Sequence, residues 1–120
     1  MTGSGMDWNR EPIVLASEQN IVIVEVNYRL GALGFAGVRS TFLGEETMGN
    51  FGLMDQYAAL AWISENVHLF GGDRNKITIS GESAGAESSL AHLLWDKSRE
   101  THGLKGGILL SETWGLPLYK

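Results

Sequence analysis

Gly81-Glu82-Ser83-Ala84-Gly85 places one hydroxyl between two glycines, each two residues away. In the G-x-S-x-G pattern a serine sits on a sharp strand-to-helix turn with its hydroxyl held clear of the backbone. Glycine makes up 16 of the 120 residues, so the pattern needs its flanks to carry weight. Lys76-Ile77-Thr78-Ile79-Ser80, just before it, is a β-branched run suited to a buried strand. From Ala84 to Trp95 no Gly or Pro interrupts beyond Gly85, and Leu90, Leu93 and Leu94 fall at helical spacing. The chemistry such an elbow permits is nucleophilic attack by Ser83. Side chains at positions 81 and 85 would collide with the neighbouring strand and helix, which makes Gly81 and Gly85 the elbow glycines. At a helix N-terminus the free amides and the dipole favour negative charge, so the Ala84 N–H is placed to donate to an oxyanion. The competing reading is a glycine-flanked loop with an ordinary helix-capping serine.

The elements that must position this elbow alternate along the chain. Glu11–Gln19 reads as a short helix. Ile21–Asn27 is an apolar run broken only by Glu25, suited to a parallel strand covered on both faces. Arg29–Gly49 carries five glycines and reads as a long loop. Leu53–Leu69 predicts a helix with Leu53, Tyr57, Leu60, Ala61 and Val67 on one stripe, ended by Gly71-Gly72. After the elbow helix comes a charged linker, Asp96–Lys105, then a last short strand, Gly107–Ser111. Helices between apolar strands predict an α/β fold with a doubly wound, mostly parallel sheet, about three strands of it in this chain.

Around the elbow the chain resembles the type-B carboxylesterase family, the group that includes cholinesterases and many lipases. The resemblance runs from near Gly3-Ser4-Gly5 to about Thr113 and rests on pieces in the family's order. These are Val26-Asn27-Tyr28-Arg29-Leu30-Gly31, Leu33-Gly34-Phe35, Asn50-Phe51-Gly52-Leu53-Met54-Asp55-Gln56, Ala61-Trp62, Asn66-Val67, Phe70-Gly71-Gly72-Asp73 and the elbow. Glu25, Ala86, Leu110 and Glu112 depart from the usual pattern, the last two on either side of Ser111. The resemblance implies an α/β-hydrolase fold and a much longer chain. Residues 1–120 would then be a partial domain. The oxyanion loop would lie upstream of it, and the acid and histidine of the triad downstream. It also implies a further strand, missing here, between Ile21–Asn27 and the elbow strand. Their edges would stay open unless the first run moves beside Ile77–Ile79. Glu82 matches a residue that lines the active-site gorge in the cholinesterase branch, making it a substrate-pocket candidate; its other reading is a buried, hydrogen-bonded carboxylate.

Composition bounds the partners. The net charge of −5 provides no basic patch for nucleic acid. No apolar stretch approaches the roughly 18 residues of a transmembrane span, and Met1–Arg10 is polar and does not read as a signal peptide. With no cysteine there is no disulfide or thiolate metal site.

The three histidines, His68, His92 and His102, read as surface or linker residues out of reach of Ser83 and without metal-ligand spacing. His92, nine residues past Ser83 in one helix, would lie about 13 Å along the axis. Trp62, Phe70 and Trp95 read as packing residues, Asp73 as the organiser of a turn, Glu25 as a partner for Arg29 or a rim charge, and Glu112 as a solvated loop charge.

The expected function is serine-dependent hydrolysis of a small-molecule carboxylic ester through an acyl-enzyme on Ser83, with no cofactor or metal. The alternatives are a non-catalytic, adhesion-type binding domain and a non-functional fragment.

Overall fold

The computed structural model describes residues 10–40 and 45–111. The chain divides into two compact units, Met1–Trp62 and Ile63–Lys120. In the first, α1 (Arg10–Gln19) ends on Asn20 in the left-handed region, φ 52°. The Ile21 N–H donates back to the Ala16 carbonyl at 3.2 Å, which closes the helix end in the manner of a Schellman turn. Ile21–Asn27 is not a strand, contrary to expectation. A strand exists only through the neighbour that takes its amides and carbonyls, and among the described residues none pairs with this run. Ile21, Val22 and Val24 are 40–48% exposed.

Arg29–Gly49 is not a bare loop either. It holds α2 (Gly31–Phe35) and an antiparallel pair, β1 (Val38–Ser40) with β2 (Glu45–Met48), in which Val38 faces Met48 and Ser40 faces Glu45. These elements are too short to imprint a period on the sequence.

What organises this unit is Arg29. Its backbone N–H and Nε donate to Asp55 Oδ2 at 3.0 and 2.8 Å, and Nη2 donates to Oδ1 at 2.7 Å. Its guanidinium lies 5.2 Å from the centroid of the Phe51 ring. Arg29 therefore pairs with Asp55 and not with Glu25. The Arg29 carbonyl is approached closely by two backbones. A Cβ at Gly34 would strike it, and one at Gly52 would lie 2.7 Å from it and 2.5 Å from Phe35 Cζ. Phe35 in turn packs edge-on against Tyr28, centroids 6.4 Å apart.

Helix α3 (Phe51–Asn66) continues into a 3-10 turn, Val67–Phe70, and its stripe buries Leu60, Ile63 and Val67. The stop falls where expected: Gly71 is left-handed, its N–H reaches the His68 carbonyl at 3.2 Å, and the Gly72 N–H reaches that of Val67 at 3.0 Å. Trp62, Phe70 and Trp95 are 53%, 62% and 37% exposed, so they do not serve as the core residues expected of them.

Asp73 does organise a turn. Its Oδ1 accepts from the Asn75 N–H at 2.8 Å and its carbonyl from the Lys76 N–H at 2.9 Å. The turn launches β3 (Ile77–Glu82), followed by α4 (Ala84–Leu94), α5 (Asp96–Thr101) and β4 (Leu104–Leu110). The expected linker is thus mostly helix α5, whose first-turn Asp96 holds Arg99 one turn on. Strands β3 and β4 pair in parallel, with Ile79 opposite Gly107, Gly81 opposite Leu109 and Glu82 opposite Leu110. This is a β-α-β unit of an α/β fold, with α4 packed on both strands. Among the described residues its parallel sheet has two strands where about three were expected, since Ile21–Asn27 forms no strand.

The Arg29 hydrogen bonds pull the Asp55 carboxyl from its ordinary 3.8 down to about 2. A value depressed by folding means that the clamp's stabilisation is complete above about pH 4 and is lost as the pH falls toward 2. Urea titrations of the first unit's unfolding should show this loss in the native chain. Asp55→Asn should be less stable at pH 7 and should show a flatter response between pH 4 and 2.

Candidate active site

Strand β3 ends at Glu82 and helix α4 begins at Ala84, leaving one residue to make the turn. That residue, Ser83, has φ 55° and ψ −121°, a conformation that costs a residue with a Cβ on the order of 1–3 kcal/mol. Three backbone hydrogen bonds hold it there. The Ser83 N–H donates to the Leu110 carbonyl at the end of β4 at 2.9 Å, and its carbonyl accepts from the Ala86 and Glu87 amides at 2.9 and 3.1 Å. Its hydroxyl makes no capping hydrogen bond to α4, and the residue is exposed. The helix-capping reading of this serine therefore fails.

The two glycines differ. A Cβ on Gly81 would run into the Gly85 carbonyl group and would sit 2.8 Å from the Ala86 nitrogen, so bare backbone is what lets α4 cross β3 here. A Cβ on Gly85 meets nothing within 4 Å, and the collision expected at that position is absent among the described residues. Ala86, next along α4, is completely buried.

Ala84 opens α4, and the first amides of a helix have no intrahelical acceptor. Its N–H lies beside Ser83 at the positive end of the helix dipole. Glu82 is exposed. It shares the β3 face of Thr78 and Ser80, opposite the one on which Gly81 meets α4, so it is not the buried carboxylate of the other reading. Glu112 lies outside the described residues.

The histidines depart furthest from expectation. His68 is exposed on its 3-10 turn, but His92 and His102 are 1% and 2% exposed, among the most buried side chains of the chain. α4 turns Ala86, Ser89 and His92 inward, and the His92 Nδ1 lies 2.9 Å from the fully buried Ser98 Oγ on α5. Burial pushes the His92 ring below the ordinary histidine range, and the charge of a protonated His102 would push it further. Burial does the same to His102, with the Glu65 carboxylate opposing. His92 lies three residues from Ser89 and six from Ala86, but with Ser89 polar as well, nothing in the sequence marked that stripe as interior. None of the three histidines is brought to Ser83: His92 occupies the opposite end of α4, His102 precedes the start of β4, and His68 lies on the turn before β3. Among the described residues no group of three His, Cys, Asp or Glu side chains could hold a metal ion, and no helix is long and apolar enough to cross a membrane.

The sequence profile of the carboxylesterase family matches residues 1–116. The chain belongs to the carboxylesterase family. It is 50% identical over 86 residues to Cholinesterase 1 of Branchiostoma lanceolatum, covering 72% of this chain and 23% of that protein. It is 47% identical over 85 residues to the acetylcholinesterase of Bungarus fasciatus, covering 71% and 14%. Among solved structures, a thermophilic PNB esterase superposes with a TM-score of 0.78 at 35% identity, over 90% of this chain and 22% of that one. The fold is accordingly that of a type-B carboxylesterase, an α/β hydrolase. The chain spans less than a quarter of the length of each of these proteins.

The unequal glycines of this carboxylesterase elbow can be separated by stability. Gly81→Ala should cost about 1–3 kcal/mol, the range for forcing extra volume into a packed contact. Gly85→Ala should stay within about 1 kcal/mol of the native chain, since alanine suits a helix better than glycine does. Urea midpoints for the two variants, measured side by side, check the ranking.

Proposed function

We propose that this chain is the nucleophile-bearing part of a serine carboxylic-ester hydrolase and that Ser83 is the nucleophile. The observation that carries the reading is the Ser83 backbone: a non-glycine residue held at φ 55° by three hydrogen bonds, with its hydroxyl exposed and not spent on capping. Strain of this kind, retained where glycine would relieve it, belongs with function. The cholinesterase and esterase names of the relatives support the same class.

In the proposed reaction Ser83 Oγ attacks the carbonyl carbon of a small-molecule ester as its proton passes to a histidine. The described residues bring no histidine to it, so that base, with the acid that orients it, belongs to a longer polypeptide than residues 1–120. The Ala84 N–H donates to the oxyanion of the tetrahedral intermediate, together with amides from a glycine loop of that longer polypeptide. The alkoxide leaves with the proton from the histidine, and water then cleaves the acyl-serine by the same steps in reverse. Glu82, exposed beside the nucleophile, would line the substrate pocket.

In a polypeptide carrying this segment at the full family length, an organophosphonate probe should label Ser83. Ser83→Ala should abolish labelling and lower ester turnover by about 10⁴-fold or more while leaving the fold intact. Labelling that persists in the alanine variant would place the nucleophile elsewhere. Residues 1–120 alone should hydrolyse a short-chain aryl ester no faster than their own Ser83→Ala control, since nothing described there can take the proton from Ser83. Turnover above that control would show that a local histidine acts as the base.

A further inference from the structure

The elbow makes no use of the buried polar cluster at the opposite end of its helix. His92 on α4, Ser98 on α5 and His102 between α5 and β4 are 1%, 0% and 2% exposed, the three largest fully buried side chains described. The His92 ring meets the Ser98 hydroxyl at 2.9 Å, and its centroid lies 6.4 Å from that of Trp95, the residue linking α4 to α5. The cluster thus joins the helix that starts just after Ser83 to α5 and to the start of β4, where Leu104 is also buried and the His102 N–H donates to the Ser98 carbonyl at 3.2 Å. We propose that the His92–His102 pair is an acid-sensitive lock on α4: it holds the α4–α5–β4 corner closed while both rings are neutral and opens it when they take up protons.

Burial disfavours charge on each ring. A buried imidazolium loses its hydration, and two of them close together repel. A proton on Nδ1 of His92 also obliges the Ser98 hydroxyl to accept, whatever it donated to before.

The surrounding charges do not remove this cost. Glu65, from α3, favours a proton on His102, yet burial outweighs it; His102 disfavours one on His92. On α5, Asp96 and Glu100 are exposed and turn to Arg99, whose Nη1 donates to the Leu93 carbonyl at 3.4 Å. Lys97 on α5, Lys105 on β4 and Glu82 on β3 are exposed, and Glu87 on α4 lies at the elbow end.

The sign follows from linkage. An unfolded histidine takes up its proton near pH 6.5, and the folded corner resists until lower pH. Protection is therefore complete above about pH 7 and is lost as the pH falls through 6.

Hydrogen exchange of the full chain, read by mass spectrometry on peptides covering 91–104 and corrected for the intrinsic rate, tests this. Protection should fall at least about tenfold between pH 7.0 and 5.5, as expected when two buried histidines protonate on opening. Peptides covering 53–62 should change less than about twofold over the same interval. His92→Gln with His102→Gln should abolish the dependence. Because that double variant could lose the corner outright, the unsubstituted chain carries a second reading: the Cε1 proton resonances of the two rings should titrate below about 6.5, together with the loss of protection. Equal protection at both pH values, a dependence that survives the double substitution, or rings titrating near 6.5 inside a still-protected corner would each overturn the proposal.

Discussion

A helix that begins one residue after a strand ends can fold back against that strand only if the crossing point carries no side chain. Gly81 is that point. With a Cβ there, the Gly85 carbonyl could not occupy its place, α4 would have to lift from β3, and Ala86 would lose its fully buried seat. The same crossing forces the single turn residue into the left-handed region, and the strand pairing makes the strain sustainable: the Leu110 carbonyl, delivered by β4, accepts from the Ser83 amide. The exposed hydroxyl of Ser83 is thus a product of the β3–α4–β4 unit as a whole. A serine in an isolated turn would relax toward negative φ and spend its oxygen on the helix amides.

A comparable economy governs the first unit. The family's Asn-Tyr-Arg-Leu-Gly, Leu-Gly-Phe and Asn-Phe-Gly-Leu-Met-Asp-Gln segments meet at one residue. The Arg29 side chain is clamped by Asp55 and lies against the Phe51 ring, and its carbonyl is crowded by Gly34 and Gly52. Motifs that reach across 26 residues of sequence, from Arg29 to Asp55, are thereby accounted for as the parts of one joint. Polar residues fill a similar role at the far end of α4, where His92 and Ser98 occupy positions that an apolar pair could have taken.

The apolar surface left open tells of the sheet's requirements. Ile108 and Leu110 are each 57% exposed on the β4 face away from α4, in a parallel sheet, a class normally covered on both faces. Ile21–Asn27 has the composition of a strand, but among the described residues no strand pairs with it.

Local signals were enough for much of this. The starts and stops of α1, α3 and α4, the Asp73 turn and the strand-elbow-helix order were legible in residues 10–19, 51–72 and 73–95, because capping, turn chemistry and periodicity act over a few residues. So was Ser83, since the glycine spacing and its flanks lie within one short window. Tertiary structure decided what depends on distant partners. Whether Ile21–Asn27 pairs, that Arg29 chooses Asp55 over Glu25, that Gly81 meets backbone while Gly85 faces open space, and that two histidines are interior were all beyond local reading. The physical reason is common to them. A strand, an ion pair, a steric limit and a burial each belong to two surfaces brought together by folding, and a sequence names the residues on both without stating which will meet.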